Sequence, residues 1–491
     1  MRVNFDIVGS FNKQKYRGID SEKNVNLFEF NDPDGKNTKA LLPTAGLTLI
    51  KTFGLTGTFR GSLVYLGLAY FAVGDTFYSW DGVADPIDIG TIGTSTGYVG
   101  MEGNLLATGQ VVLVDGAKGY LWEIGTSTFG EITDPGFPAQ PIDIAFMDGF
   151  FIVPSGGTNL FAISASNDGS SWDALNSAAI TTHPGHIAAV QVLHRRIFIF
   201  GVSYCEVWEN QGLTDFPFRR NNSMLMEYGT ISPASVISGF DKLFFLSQDQ
   251  DGLGHVIMVT GSTAIRVSTQ ALDAEIETYA AAGQIADAQG MLYQNRGIIF
   301  YRLNFTAANK TWVYNVTQST PAQSASGEGG DLRWHNEEMI NESRHVAQVT
   351  AYLNGKTYFG SYLDNKLYLV DNDNYTNNGE NIKRERITKQ FFDPTYNRVR
   401  VDRLYLDLVQ GEAASNGVDA TPIVFLDVSK DGGRTWAFSQ EQSMGKIGER
   451  LALTRFRKIG VARTHTYRIR FYNGIVFLLL GASIDYTVLP E

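Results

Sequence analysis

Short apolar runs alternate with Gly, Asn and Asp turns along most of the chain, and the turns are regular enough to predict an architecture. From about residue 58 the pattern is an apolar strand, a turn, a strongly apolar strand, a second turn and another strand. The turns between the first two strands fall near Gly67, Gly103, Gly149, Arg195, Asp241, Gly297 and Gly355. A period of about 45 residues built of short strands predicts a β-propeller of about seven blades. Six blades is the alternative, because the first and last copies are weak. One blade cannot bury both of its faces, so the copies must close into a ring. Hairpins packed as stacked sandwiches are the competing arrangement.

The flanks read differently. Residues 1–54 are extended and turn-rich, with a strong turn at Asn31–Gly35, and predict an arm of one or two strands associated with the C-terminal domain. The Ala-rich stretch Leu272–Ala286 is the best helix candidate, despite Gly283. The polar run 372–381 predicts a linker and domain boundary. Beyond it, alternation at Val399, Val401, Leu404, Leu406 and Leu408, at Ile423–Val428 and at Tyr467–Tyr472 predicts a compact antiparallel β-sandwich. The expected fold is all-β: an arm over 1–54, a propeller over 55–378 and a β-sandwich platform over 379–491.

Composition supports an all-β chain, with 51 Gly, 12% aromatics and only 19% charged residues. A single cysteine excludes an internal disulfide and fits synthesis in a reducing cytosol. The start MRVNFDIVGS has no apolar signal core, and the densest apolar run, Ile475–Ala482, is too short to span a bilayer, so no membrane insertion is expected. Charge is uneven: residues 1–380 hold 23 Lys+Arg against 39 Asp+Glu, while 381–491 hold 17 against 12. The acidic body argues against tight nucleic-acid binding, which needs clustered cations.

Several stretches resemble chemical sites and are read as structure. Ser429-x-Asp431-x-Gly433-x-Thr435-Trp436 matches the Asp-box of sialidase-type propellers, and Ser166–Trp172 is a shortened copy. The box is a turn device, and no Arg cluster with a Tyr/Glu pair is legible beside it. His183-Pro-Gly-His186 lacks a third ligand. Asp249-Gln-Asp251 and Asp371-Asn-Asp373 are fragments of calcium-type loops without the closing Glu. Cys205 lies in an apolar strand and is expected to be buried and inert. No catalytic residue, cofactor or metal site is expected.

The order Glu206-Val-Trp208 with Gly212, Phe216-Pro-Phe218-x-Arg220, Lys242-Leu-Phe-Phe-Leu-Ser247 and Arg266-Val-Ser-Thr269 resembles the packaged-DNA-stabilisation proteins of short phage tails, also described as tail nozzle or tail tube proteins. Val25-Asn26, Leu41–Gly46 and Arg60-Gly61 are similar to that family's N-terminal entry. Ser429–Trp436, Gly448-Glu-Arg450 and Arg455-x-Arg457-x-x-Gly460 are similar to its C-terminal end. Cys205 departs from the family, where a Thr- or Ile-like residue is more usual. The resemblance spans nearly the whole chain. It implies a structural virion protein forming a homo-oligomeric ring, a hexamer, beneath a head-completion adaptor on the portal. It also implies tail fibres or spikes as outer partners, and genomic DNA passing without sequence-specific binding. A sialidase-type glycosidase and a non-catalytic carbohydrate-binding propeller are the alternatives.

The start of the platform crowds cations. Alternation puts Arg398 and Arg400 on one strand face, opposite Val399 and Val401. Together with Arg384 and Arg386 they are the candidate partner-interface residues, since a planar guanidinium can hold a partner's carboxylate. A solvated basic face paired within the domain to Asp402 and Asp407 is the alternative.

Overall fold

The computed structural model describes residues 2–14, 20–34, 38–214, 216–248, 254–322, 330–415 and 417–489. Seven blades are present among them. In each, the inner strand hydrogen-bonds outward to its successors in simple antiparallel order. Blade 1 runs from Phe59–Tyr65 to Ile87–Thr91, blade 2 from Gly100–Gly103 to Thr128–Glu131, and blade 3 from Ala145–Met147 to Asp168–Ala179. Blade 4 runs from Ile187–Leu193 to Phe218–Met226, blade 5 from Ile237–Gly239 to Thr263–Arg266, and blade 6 from Gln289–Asn295 to Trp334–Asn336.

Six of the seven predicted turns join the first two strands of a blade through two residues that both have positive φ: Leu66-Gly67, Asp148-Gly149, His194-Arg195, Phe240-Asp241, Arg296-Gly297 and Asn354-Gly355. That backbone matches the right-handed twist of the strands it connects. Blade 2 differs. Gly103 ends its inner strand, and a longer loop follows in which Asn104 Oδ1 accepts from the amides of Leu106 (3.2 Å) and Gln110 (3.0 Å).

Blade 7 has only three consecutive strands, from Ala347–Leu353 to Lys366–Asp371. Its fourth is Gly46–Thr52, antiparallel to Lys366–Asp371 with Val370 opposite Leu47 and Tyr368 opposite Leu49. The propeller therefore begins at Gly46 rather than at residue 55, because ring closure needs an outer strand that the C-terminal end of the repeat does not supply. The polar run 372–381 is not a free linker. Asn374 donates to Leu47 O (3.3 Å) and Thr48 Oγ1 (3.1 Å), and Thr376–Asn377 forms a small hairpin against the same strand.

Each gap between neighbouring blades is filled by its own apolar cluster. Leu63, Tyr70, Val111 and Leu113 join blades 1 and 2, for example, and Phe59, Phe71, Val349 and Tyr358 join blades 1 and 7. The strand Cys205–Asn210 is buried on both faces, as its sequence predicts.

The helix spans Gln270–Ala281, between blades 5 and 6. Thr269 caps it by accepting from the Leu272 amide (3.3 Å). It ends before Ala286 because Gly283 takes φ +70° and stops the helical hydrogen bonding.

Among its described residues the arm contains six strands rather than one or two, and they serve both domains. Arg2–Phe5, Leu27–Asn31 and Lys39–Pro43 join the sandwich sheet built on Arg398–Leu408 and Leu479–Leu489. Ser21–Val25 lies between blade 6 and the platform strand Arg384–Ile387, pairing parallel to the first at Asn336 and antiparallel to the second. One continuous sheet of eleven strands thus runs from blade 6 into the sandwich. The platform core packs Phe5, Leu27 and Leu41 of the arm against Val399, Leu404, Leu426 and Ile484.

Closure gives the first prediction. A Cβ on Gly46 would collide with the carbonyl oxygens of Asn374 and Thr376. Gly46→Val should cost about 1–3 kcal/mol by overpacking and lower the melting temperature. Val→Ile at the exposed Val83 should leave it unchanged. An unaltered Gly46→Val melt would contradict this role of the strand.

Candidate functional site: the propeller–platform junction and the axial channel

The junction is built from polar groups taken out of water and satisfied across three segments. Asn26 sits at φ 52°, a conformation Asn tolerates better than most residues. Its side-chain amide donates to Glu338 O and Lys383 O (2.8 Å each), and its Oδ1 accepts from the Glu338 amide (3.0 Å). Arm, blade 6 and platform therefore meet at one side chain. Lys23 and Lys383 both reach Glu338, at 3.4 and 3.3 Å.

Arg384 and Arg386 belong to this junction and not to a partner surface. Both are wholly buried. Arg386 donates to Ile7 O (2.8 Å) and Asn24 Oδ1 (2.9 Å) and pairs with Glu22. Arg384 donates to Asn473 O and Tyr375 O (3.2 Å each), and burial lowers its pKa to about 10. The arm covers Arg386, and the segments of Tyr375 and Asn473 hold Arg384, so both act as internal staples. Arg398 and Arg400 are exposed and alternate with buried Val399 and Val401, as the pattern predicts. Arg400 reaches Asp402 at 3.0 Å, a pair open to solvent.

The propeller axis is a narrow cavity of about 210 Å³, to which the inner strand of each blade, or its immediate flank, contributes. A wider mouth of about 520 Å³ continues from it, lined by Arg60, Tyr98, Asp115 and Tyr362 among others. An axial cavity of about 210 Å³ does not admit a DNA duplex. Glu102 lines it, and burial, with Asp143 nearby, raises the Glu102 carboxyl to about 8. Asp143, beside it, is raised to about 7 by burial, although its carboxylate accepts from the amides of Ile144 and Val190 (2.9 Å each).

Inside blade 6, Arg302 pairs with Glu337 and donates to His345 Nδ1 (3.0 Å), so that His345 nitrogen carries no proton. Burial opposes the Glu337 charge, but Arg302 and then His335 and His345 outweigh it and hold the carboxyl at about 2. Burial lowers His345 to about 3. The sequence signal for this network is the run His335-Asn-Glu-Glu338, four consecutive polar residues. The axial acids left no such signal, because Glu102 and Asp143 sit singly in apolar surroundings.

The motifs singled out in the sequence stitch seams. Arg60 donates to Gly74 O (2.7 Å), Thr94 O (2.6 Å), Thr96 O (2.6 Å) and Gly97 O (2.8 Å), while the next residue, Gly61, faces the Val99 carbonyl with no room for a side chain. Glu206 accepts from the amides of Thr181 (3.0 Å) and Thr182 (2.9 Å) and from Trp208 Nε1 (3.1 Å). Asp431 accepts from the Ser429 and Thr435 hydroxyls (2.6 Å each) and from the amides of Arg434 and Thr435, which hold its carboxyl well below the usual range. Trp172 of the shortened box packs on Phe137, with ring centroids 4.9 Å apart. The full box is a turn held by Asp431, and the shortened one runs from the turn at Ser166-Asn167 into the outer strand of blade 3.

Cys205 is buried and burial raises its thiol pKa. His183 lies against Tyr204. In Asp371–Asp373, Asp371 Oδ1 accepts from the Asp373 amide (3.0 Å). Asp249 and Asp251 lie outside the described residues. Among the described residues, no three His, Cys, Asp or Glu side chains group as metal ligands, and no helix is long and apolar enough to cross a membrane.

The fold is a seven-bladed propeller closed by its own N-terminal strand and sharing a sheet with a β-sandwich. The family comparison is specific: residues 9–375 match the model for the bacteriophage P22 Gp10 β-propeller and residues 383–487 match that for the bacteriophage P22 Gp10 β-sandwich. The chain belongs to this family of phage structural proteins. No curated protein matches it. Solved structures similar to it include a streptogramin B lyase (10% identity, 66% of this chain and 97% of that one, TM-score 0.43). Virginiamycin B lyase from Staphylococcus aureus (10%, 66% and 98%, 0.44) and YCF48 bound to D1 peptide (12%, 68% and 98%, 0.38) are others.

Two predictions follow from these geometries. Arg386→Met should leave the Glu22 charge without its buried partner and cost about 3–5 kcal/mol. Arg400→Met, which breaks only an exposed pair, should change stability by less than about 0.5 kcal/mol. Equal effects in denaturant titrations would refute the burial argument. Because the folded pKa of Glu102 is raised, its contribution to stability is fully present below about 4.5 and is lost as pH rises through about 8. Glu102→Gln should flatten that decline between pH 5 and 8, and melts across this range check it.

Proposed function

We propose that this chain is a nozzle or tail-tube subunit of a short phage tail. It assembles as a homo-oligomeric ring, a hexamer, below the portal–adaptor, and the ring closes the DNA channel, retains the packaged genome and forms its exit path. The observation that carries the reading is the eleven-stranded sheet, which joins propeller and platform into one wedge able to bear load without a hinge. The propeller axis is too narrow for a duplex, so a DNA channel has to form between copies. The chain is net acidic at −11, which suits a wall that DNA slides past without sticking.

In this reading the platform and the sheet-forming part of the arm face the head, the propeller points away, and fibres or spikes attach outside. Arg398 and Arg400 remain as candidate contacts to an acidic neighbour or adaptor. Arg398→Glu with Arg400→Glu should leave the monomer melt unchanged and abolish docking to portal–adaptor particles, scored by electron microscopy. Normal docking of the double variant would remove these arginines from the interface. A wild-type protein that never forms rings with portal–adaptor particles, and whose loss does not release packaged DNA, would overturn the assignment.

A further inference from the structure

The seam between propeller and platform holds a further, partly open cavity of about 240 Å³, whose wall includes Lys23 and Glu338 of the junction. Its charges are nearly balanced. Lys13 pairs with Glu275 at 2.7 Å, Lys23 with Glu338 at 3.4 Å and Lys383 with Glu385 at 3.8 Å, so these lining acids already hold their counter-charges. Two groups of opposite need are left. The Lys310 ammonium forms no hydrogen bond or ion pair among the described residues, and burial lowers its pKa. The Asn336 Oδ1 acceptor is buried without a donor, in a residue only 3% exposed. Aromatic rings complete the wall: Trp312, which is 2% exposed, and Trp436, with the Arg468 guanidinium 4.5 Å from its ring centroid.

Each leftover group excludes a class of ligand. A simple anion satisfies Lys310 and leaves the Asn336 acceptor unpaired, in a cavity lined by Glu275, Glu338 and Glu385. A cation does the reverse. A hydroxyl donates and accepts at once, so vicinal hydroxyls satisfy both groups without adding charge. The C–H faces of a pyranose ring suit indole rings, which offer a flat, polarisable surface. The volume admits a molecule of one or two such rings. We propose that this seam cavity binds a neutral saccharide of one or two rings, with Lys310 and Asn336 holding hydroxyls and the tryptophans holding the ring face. The site stands independently of the tail assignment, since it rests on the seam geometry alone.

The test uses the full chain. Glucose, galactose, mannose, N-acetylglucosamine and lactose are titrated, with tryptophan fluorescence and saturation-transfer NMR as readouts. At least one sugar should give a saturable response with a Kd on the order of 1 mM or tighter. Lys310→Met and Asn336→Ala should each weaken it about tenfold, the change expected from losing one such hydrogen bond, while the wild-type melting temperature is kept by at least the Lys310 variant. A wild type that saturates with none of the five sugars overturns the proposal, whatever the variants do. Binding unchanged in both variants overturns it as well, and so does displacement of the sugar by inorganic phosphate at comparable concentration, which would mark an anion site.

Discussion

The structure depends on a pairing between strands more than 300 residues apart in sequence: Gly46–Thr52 against Lys366–Asp371. A propeller gains its stability from apolar contacts between neighbouring blades, and every such contact presumes that the ring is closed. The cluster that joins blade 7 to blade 1 includes Phe53, the residue immediately after the closing strand, and Phe59, the first of blade 1. Closing so long a loop carries an entropic cost that local hairpins do not, although that cost grows only slowly with length. The ladder of the seventh blade and the Asn374 bonds to the same strand offset it.

The same N-terminal segment also welds the propeller to the platform. Ser21–Val25 lies inside the sheet that runs from blade 6 to the sandwich, and Asn26 follows it at the meeting point of three segments. Closure and weld are separated by only about twenty residues, so loss of one strains the other. This coupling explains why buried arginines are tolerated here. Arg384 and Arg386 are costly to desolvate, yet Arg386 donates to Ile7 and Asn24 of the arm and Arg384 to Tyr375 and Asn473, and these bonds fix the arm and the 372–381 run against the platform. For a subunit proposed to hold back pressurised DNA, a fixed angle between its halves matters more than the most economical core.

Much of this was legible in the sequence. Blade hairpins announced themselves because a two-residue turn with positive φ favours Gly and Asn, and because strongly apolar second strands such as Phe198–Phe200 follow at once. The platform strands showed clean alternation, and the Asp-boxes named their own turns. The motifs that carried the family resemblance, Arg60-Gly61, Glu206-x-Trp208 and Val25-Asn26, turned out to sit at seams, where chemistry and spacing are most constrained. What stayed hidden was long-range. Nothing local in Gly46–Thr52 says that its partner lies at Lys366–Asp371. Nor does anything in Lys383–Arg386 distinguish a basic surface from a buried staple, because the groups that cover them come from other segments, the arm for Arg386 and the Tyr375 and Asn473 segments for Arg384. The axial acids were missed for the same reason: a ring brings them together, and no window along the chain does.

Hydrogen exchange resolved to single amides tests the central claim, that one N-terminal segment both closes the ring and welds it to the platform. The account predicts that the amides of Leu47–Lys51 and Asn24–Val25 which bond across these ladders exchange only with global unfolding, at the same rate as core strands such as Ile197–Phe200 and Leu404–Leu406. Fast exchange at Leu47–Lys51 or Asn24–Val25, with those core strands still protected, would contradict it.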